Sequence, residues 1–459
     1  MFAFAVWDEK KKELFCARDR FGIKPFYYTV VDDVFYFASE IKALLPFVDN
    51  IDTNLDALND YLTFQFTLGE KTLFKGIKKL EPGHSIIIQN SQISVNKYWE
   101  VYYDIDHSHN EKLVIEQIKD LMDESIGLHM RSDVPVGAYV SGGRDSSIVA
   151  ALASGIESSD FQTFTGKFSF GEGYDESKYA RDLSRQYSFH LHELDIQSHD
   201  FVSSIEKIIY HLDEPVAGPG SFPQYQISHL ASQHRKVVLG GQGGDEIFGG
   251  YARYLIAYFE QCIKGAIEGT LNNGNFVVTY ESIISNLETL KQYKPMLKQF
   301  WSNGLFDTIN RRYFDLVNRA PTLEKEINWS ALCESSTYTD FRKIFLGKNV
   351  GHESYFDLMT HFDFKTLLPA LLQVEDRMSM AHGLESRVPF LDHKLVELAA
   401  TIPADIKFKN GELKRLLSKA FDPILPTSIT QRKDKMGFPV PLNEWMQGEL
   451  KDFVCGIFE

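Results

Sequence analysis

Seven consecutive residues, Ser141, Gly142, Gly143, Arg144, Asp145, Ser146 and Ser147, bring together three hydroxyls, two adjacent glycines and a carboxylate. An apolar run at 136–140 precedes them, and good helix formers without a breaker follow at 148–153. A strand that ends in Gly-Gly and turns into a helix aims several unpaired backbone N–H groups at one point. Such a point binds phosphate oxygens, and the helix dipole adds to the attraction. Asp145 is out of place beside a bare anion but fits where Mg²⁺ accompanies the phosphates. A Gly-Gly turn with a serine N-cap is the plainer account of the same residues.

A second run starts at Val237, Val238 and Leu239 and passes through Gly240, Gly241, Gln242, Gly243 and Gly244 to Asp245. Asp245 stands after its glycines as Asp145 does after its own, so the two carboxylates could grip one Mg²⁺ on a nucleotide's phosphates. The plainer account is a tight turn with Asp245 as a helix N-cap. A third run holds Asp376 and Arg377, then Glu385, Arg387, Pro389 and Asp392. Its residues alone indicate a helix with paired charges entering a proline-stiffened turn, for which ordinary ion pairing suffices.

Placing the first two runs takes a sheet. Strand candidates at 136–140, 163–168, 190–194 and 236–240 alternate with helical stretches at 176–187 and 201–211. That alternation indicates βαβ units, an α/β fold and a parallel sheet, with ligands beyond the C-terminal strand ends. Ahead of the sheet, Leu113, Ile115, Ile118, Leu121, Met122, Ile126 and His129 recur at helical spacing. Residues 1–100 read as a separate β-rich domain, with strands at 2–7, 14–18, 26–31, 34–38 and 85–89 and one helix after Asp56. Residues 111–459 form the second domain. Within it, 255–350 is aromatic-rich and mostly helical without legible chemistry, and the chain from Ser354 onward also reads as helical.

The 459 residues carry a formal charge of −15, against broad binding of nucleic acid or anionic membrane. Cys16, Cys262, Cys333 and Cys455 are scattered, which makes a zinc site improbable and suits a reducing cytoplasm. No apolar run approaches the roughly 18 residues a membrane span needs. The apolar residues 1–7 lack a basic flank and read as a strand, not a signal peptide.

Taken together, these runs resemble the glutamine-dependent asparagine synthetase family. Residues 141–147 look like its pyrophosphate loop, 240–251 like its second ATP and Mg²⁺ segment, and 376–392 like its C-terminal signature. Residues 2–5, 17–25 and 38–44 are similar to the second half of its glutaminase domain. The resemblance implies an ATP-pyrophosphatase (PP-loop) synthetase domain preceded by a partial glutaminase of the Ntn-hydrolase type. It implies adenylation of the aspartate side chain by ATP with Mg²⁺, then attack by ammonia, which glutamine supplies in the full-length family. By the same resemblance Tyr139, Gly166, Gly240 and Gly241 line the adenosine, Ser141, Gly142, Gly143, Ser146 and Ser147 hold the phosphates, and Asp145 and Asp245 take the metal. Lys435, with Lys433 as rival, would meet charge on the pyrophosphate. Glu385 and Arg387 would position or deprotonate the nucleophile, a structural ion pair being their alternative. The oligomer the resemblance allows is a homodimer.

Departures from the family set further expectations. Met1-Phe2 stands where the glutaminase domain would be half complete, and residues 450–458 read as a helix without a stop signal. The chain is therefore expected to be truncated at both ends, unable to hydrolyse glutamine, and weakly stable over 1–100 because strand edges are left unpaired. Cys16 is expected to be a core thiol, not a nucleophile. Gln242 replaces a glutamate important for acyl-adenylate formation, and an amide brings no negative charge. That substitution keeps open a different carboxylate acceptor on a sugar, peptide or β-lactam-type substrate. A non-catalytic nucleotide-binding remnant is the rival from another class. Arg144 either contacts phosphate or points to solvent.

Overall fold

The computed structural model describes residues 1–157, 160–171, 173–268, 293–332, 336–432 and 439–459. By contacts the chain forms two compact units that do not follow chain order. The first joins Met1–Val114, Gly243–Leu372 and His393–Leu416; the second joins Ile115–Gln242, Gln373–Asp392 and Leu417–Glu459.

In the first unit, strands β1 (Ala3–Asp8), β2 (Glu13–Arg18), β3 (Tyr27–Val31), β4 (Val34–Ala38), β5 (Lys78–Lys79), β6 (His84–Gln89) and β7 (Gln92–Lys97) build two antiparallel sheets. Their orders are β1-β2-β6-β7 and β4-β3-β5. Cys16 and Ile86 from the first sheet meet Tyr28 from the second, with Phe26 and Leu80, in one buried cluster. Burial pushes the Cys16 thiol up to about 11, so it is a packed, unreactive sulfur.

The one N-terminal helix, Leu55–Phe64, starts where Asn54 Oδ1 accepts the Ala57 N–H at 3.2 Å, and it stops at Gln65 in the left-handed region. Its Phe64 ring lies 5.9–6.4 Å from Phe314, Phe341 and Phe362. Those rings stand on helices Ile309–Val317, Thr337–Phe345 and Tyr355–Lys365. The aromatic-rich stretch thus serves packing, and part of the helical reading of 255–350 lies outside the described residues.

His361 is buried in this layer. Its Nε2 faces Asn349 Nδ2 at 3.0 Å, and burial, then Lys365, lowers its pKa to about 3. The unfolded histidine takes up its proton near pH 6.5 while the folded one stays neutral, so stability is full above 6.5 and falls on acidification. Between pH 6.5 and 5 this group is expected to remove about 2 kcal/mol. Denaturation midpoints across that range should drop in the wild type and flatten in His361→Gln.

The second unit holds β8 (Val136–Tyr139), β9 (Gln162–Lys167), β10 (His190–Asp195), β11 (Val237–Leu239) and β12 (Glu385–Arg387) in one parallel sheet ordered β10-β9-β8-β11-β12. Helices Arg144–Ser154, Ser177–Tyr187, Ser198–Leu212 and Ser221–Ser232 connect the strands. The chain steps from β8 outward to β10, then returns to lay β11 and β12 on the other side. The direction of winding therefore switches between β8 and β11, where open parallel sheets take their ligands. Strand β12 corrects the all-helical reading of the chain after Ser354. Three residues, two of them charged, carry too little alternation to announce a strand.

Candidate active site

Both glycine loops of the second unit leave the sheet at this switch point, because Leu239 at the end of β11 pairs with Ala138 beside the end of β8. The first loop starts its helix at Gly143, which is in extended geometry and carries no side-chain cap, so the serine N-cap is not what forms. The hydroxyls brace the turn instead. Ser141 N–H donates to Ser146 Oγ at 3.2 Å, Gly143 N–H to Ser141 Oγ at 3.3 Å, and Ser146 Oγ to the Gly143 carbonyl at 3.2 Å. Gly142 adopts φ +76°, and a Cβ there would lie 2.7 Å from Tyr179 Cβ. Asp145 and Ser147 are buried at the start of this helix. Ser147 N–H makes its first intrahelical bond, to the Gly143 carbonyl at 3.1 Å, so the N–H groups of Arg144, Asp145 and Ser146 ahead of it have no intrahelical acceptor. Ser147 Oγ has no hydrogen-bond partner among the described residues.

The second loop is pressed against the first. A Cβ on Gly241 would sit 2.7 Å from Ser146 N, and one on Gly240 would sit 2.9 Å from Glu375 Oε1. Glu375, which the sequence reading passed over, is buried and accepts a short hydrogen bond from Ser386 Oγ on β12. Tyr139 is buried with its hydroxyl 2.8 Å from Ser228 Oγ, and burial raises its pKa well above the usual range. Gly166 has a packing cause: a Cβ would meet Ile196 Cδ1 and Ile227 Cδ1 at 2.9 Å.

Strand alternation separates the other β12 residues from Ser386. Glu385 pairs with Arg387 Nε at 2.7 Å, and Arg387 Nη1 donates to the carbonyls of His129 and Arg131, closing the C-terminus of helix Glu111–His129. Glu385 also pairs in register with Val237, the start of β11 and the end of the sheet away from the loops. The ion-pair alternative therefore accounts for both residues.

In the first unit, Gly243 at φ +99° caps the short helix Gly244–Phe248, so Asp245 lies in its first turn and is not the N-cap. Its Oδ1 is 2.6 Å from Lys414 Nζ.

A family model described as asparagine synthase matches residues 117–459, and one described as a glutamine amidotransferase domain matches residues 1–99. The chain belongs to the asparagine synthase family. It is 33% identical to asparagine synthetase [glutamine-hydrolyzing] 1 of Bacillus subtilis, over 100% of this chain and 70% of that protein. It is 32% identical to a putative asparagine synthetase [glutamine-hydrolyzing] of Mycobacterium bovis, over 99% of this chain and 69% of that protein. A weaker likeness, 26% over 98% of this chain and 70% of the other, reaches amidase chry2 of Gibberella zeae. As an asparagine synthase family member the chain is an ATP-consuming carbon–nitrogen ligase.

In this family member the Arg144 guanidinium is held by the C-terminal segment and does not point freely to solvent. Its Nε donates to Asp422 Oδ1 at 3.0 Å and its Nη2 to the Thr430 carbonyl at 3.2 Å, tying the C-terminal segment to the loop. Arg432 does the same from the other side, donating to the Gly142 carbonyl at 3.3 Å and pairing with Glu176. Its place three residues before Lys435 was the available signal. Lys433 and Lys435 lie outside the described residues, and Gln242 is half-buried in the second loop. Asp145, Asp245 and the serine hydroxyls are hard oxygen donors of the kind Mg²⁺ accepts. Among the described residues no group of three or more His, Cys, Asp or Glu side chains is arranged to hold a metal. A single carboxylate with hydroxyls, as at Asp145 within its own unit, fits a cation whose remaining positions go to water and phosphate oxygens.

Proposed function

We propose that this chain adenylates the side-chain carboxylate of aspartate with ATP and passes the activated carbonyl to ammonia, yielding asparagine, AMP and pyrophosphate. The observation that carries the reading is the pair of glycine loops at the β8/β11 switch point, with backbone approach guarded at Gly142, Gly240 and Gly241. The triphosphate lies over residues 141–147, where orphan N–H groups and the Ser147 hydroxyl meet its oxygens. Tyr139, Gly166, Gly240 and Gly241 border the adenosine. Asp145 and Asp245 are the carboxylates offered to Mg²⁺, which when bound neutralises charge on the phosphates. Lys435 serves the leaving pyrophosphate. Gln242 can hydrogen-bond the acceptor but brings no charge to it.

Residues 1–100 are proposed as part of an Ntn-type glutaminase and 111–459 as the PP-loop synthetase, acting in the cytoplasm as a homodimer. Cys16 is too deeply packed to attack glutamine, so ammonium is the amine expected to work with this polypeptide.

ATP-dependent pyrophosphate release with aspartate and ammonium tests the reading. Release should require aspartate, and asparagine should accumulate. A folded, ATP-binding protein that releases none would overturn aspartate as acceptor. Gln242 supports one other reading, transfer to a larger carboxylate, and the same assay over a panel of acids would reveal it.

A further inference from the structure

The Asp245–Lys414 pair is built with unusual backbone expense. Lys414 is 3% exposed, and a buried ammonium needs a partner to offset its desolvation. It sits at φ +53°, a left-handed conformation that is strained for a long side chain. Its N–H donates to the Gly249 carbonyl at 3.3 Å. A Cβ on Gly250 would fall 1.8 Å from Asp245 Oδ1 and 2.2 Å from Lys414 Cε, so only glycine leaves the pair room. The neighbouring Arg415 reaches Glu111 at 2.8 Å and anchors the segment. Three local devices thus converge on one ion pair, in which Lys414 takes Oδ1 while the Asp245 side chain stays 22% exposed.

We infer that Lys414 is a positioning residue that fixes the Asp245 carboxylate in the orientation in which it meets the cation of bound nucleotide. This rests on the reading that Asp245 is a Mg²⁺ ligand. Outer partners of this kind orient a ligating carboxylate, and their loss typically weakens metal affinity by about 10- to 100-fold. A lysine with a merely structural role would change stability and leave metal dependence alone.

The test uses the full chain and three variants: Lys414→Met, Gly250→Ala, which crowds the pair without removing a charge, and Asp245→Asn. Mn²⁺ binding in the presence of ATP is read directly by electron paramagnetic resonance, beside ATP binding in EDTA. The Mg²⁺ dependence of pyrophosphate release is then compared with the KM for aspartate. For Lys414→Met and Gly250→Ala, metal affinity should fall about 10-fold or more, with ATP binding in EDTA and the aspartate KM unchanged. If Asp245→Asn weakens the metal and the other two, folded, do not, the role given to Lys414 is overturned. If Asp245→Asn leaves metal binding intact, the ligand assignment fails first and the inference with it.

Discussion

Gly241→Ala is expected to lower aspartate-dependent pyrophosphate release by about 100-fold or more while the protein remains folded. The added methyl would sit 2.7 Å from Ser146 N and 3.1 Å from the Asp145 carbonyl carbon and Ser146 Cα. These are backbone atoms at the start of helix Arg144–Ser154, so no side-chain rotation can relieve the contact. Either β11 backs away or the loop moves, and both shift the N–H groups proposed to meet the triphosphate. A displacement near 1 Å is enough to cost two orders of magnitude where catalysis depends on position. Gly127→Ala is the control. It has nothing within 4 Å of its Cβ position and lies inside helix Glu111–His129, so it should leave activity unchanged and stabilise the helix slightly. Wild-type rates in Gly241→Ala would mean that the two loops do not act as one surface.

This juxtaposition was only half legible in the sequence. Each glycine run announced a strand end because Val136–Tyr139 and Val237–Leu239 are apolar and bounded by Gly. That the two ends lie side by side depends on strand order, which local pattern does not encode. Residues 1–100 read as β-rich because their short aromatic and aliphatic runs, separated by turn residues, are strands that close on a buried cluster containing Tyr28 and Ile86. Strand β7 escaped notice because all six of its residues are exposed and no core face patterns it. The C-terminal signature misled in an instructive way. Glu385 and Arg387 drew attention as charges, yet charged residues on a three-residue strand serve a helix end, while unremarked Ser386 and Glu375 point at Gly240. Lys414 gave no signal and Arg432 only its place beside Lys435, and the roles of both were hidden because their partners lie 169 and 256 residues away in sequence.

Arg312→Met is expected to destabilise the first unit by about 3–5 kcal/mol, the cost of stranding a buried charge. Arg312 is 0% exposed and its guanidinium is fully committed. Nε and Nη2 each donate to Glu260 at 2.6 Å, while Nη1 and Nη2 donate to the carbonyls of Asn303 and Phe300 at 2.7 Å. The Phe300 ring covers one face, with its centroid 3.8 Å away. Glu260 is 1% exposed, so removing its partner leaves a carboxylate with the Phe306 N–H at 3.2 Å and little else to replace water. The double variant Arg312→Met with Glu260→Leu should recover most of the loss, because a buried pair exchanged for apolar groups of similar volume is often close to neutral. Denaturant midpoints of the two single variants and the double variant form a cycle that separates the pair from the packing around it. Coupling below about 1 kcal/mol would place this pair with ordinary surface bridges and assign the stability of these helices to the aromatic layer alone. Strong coupling would instead make Arg312 the tie that holds helix Ile309–Val317 to helix Ala252–Glu268, which follows directly on the loop carrying Asp245.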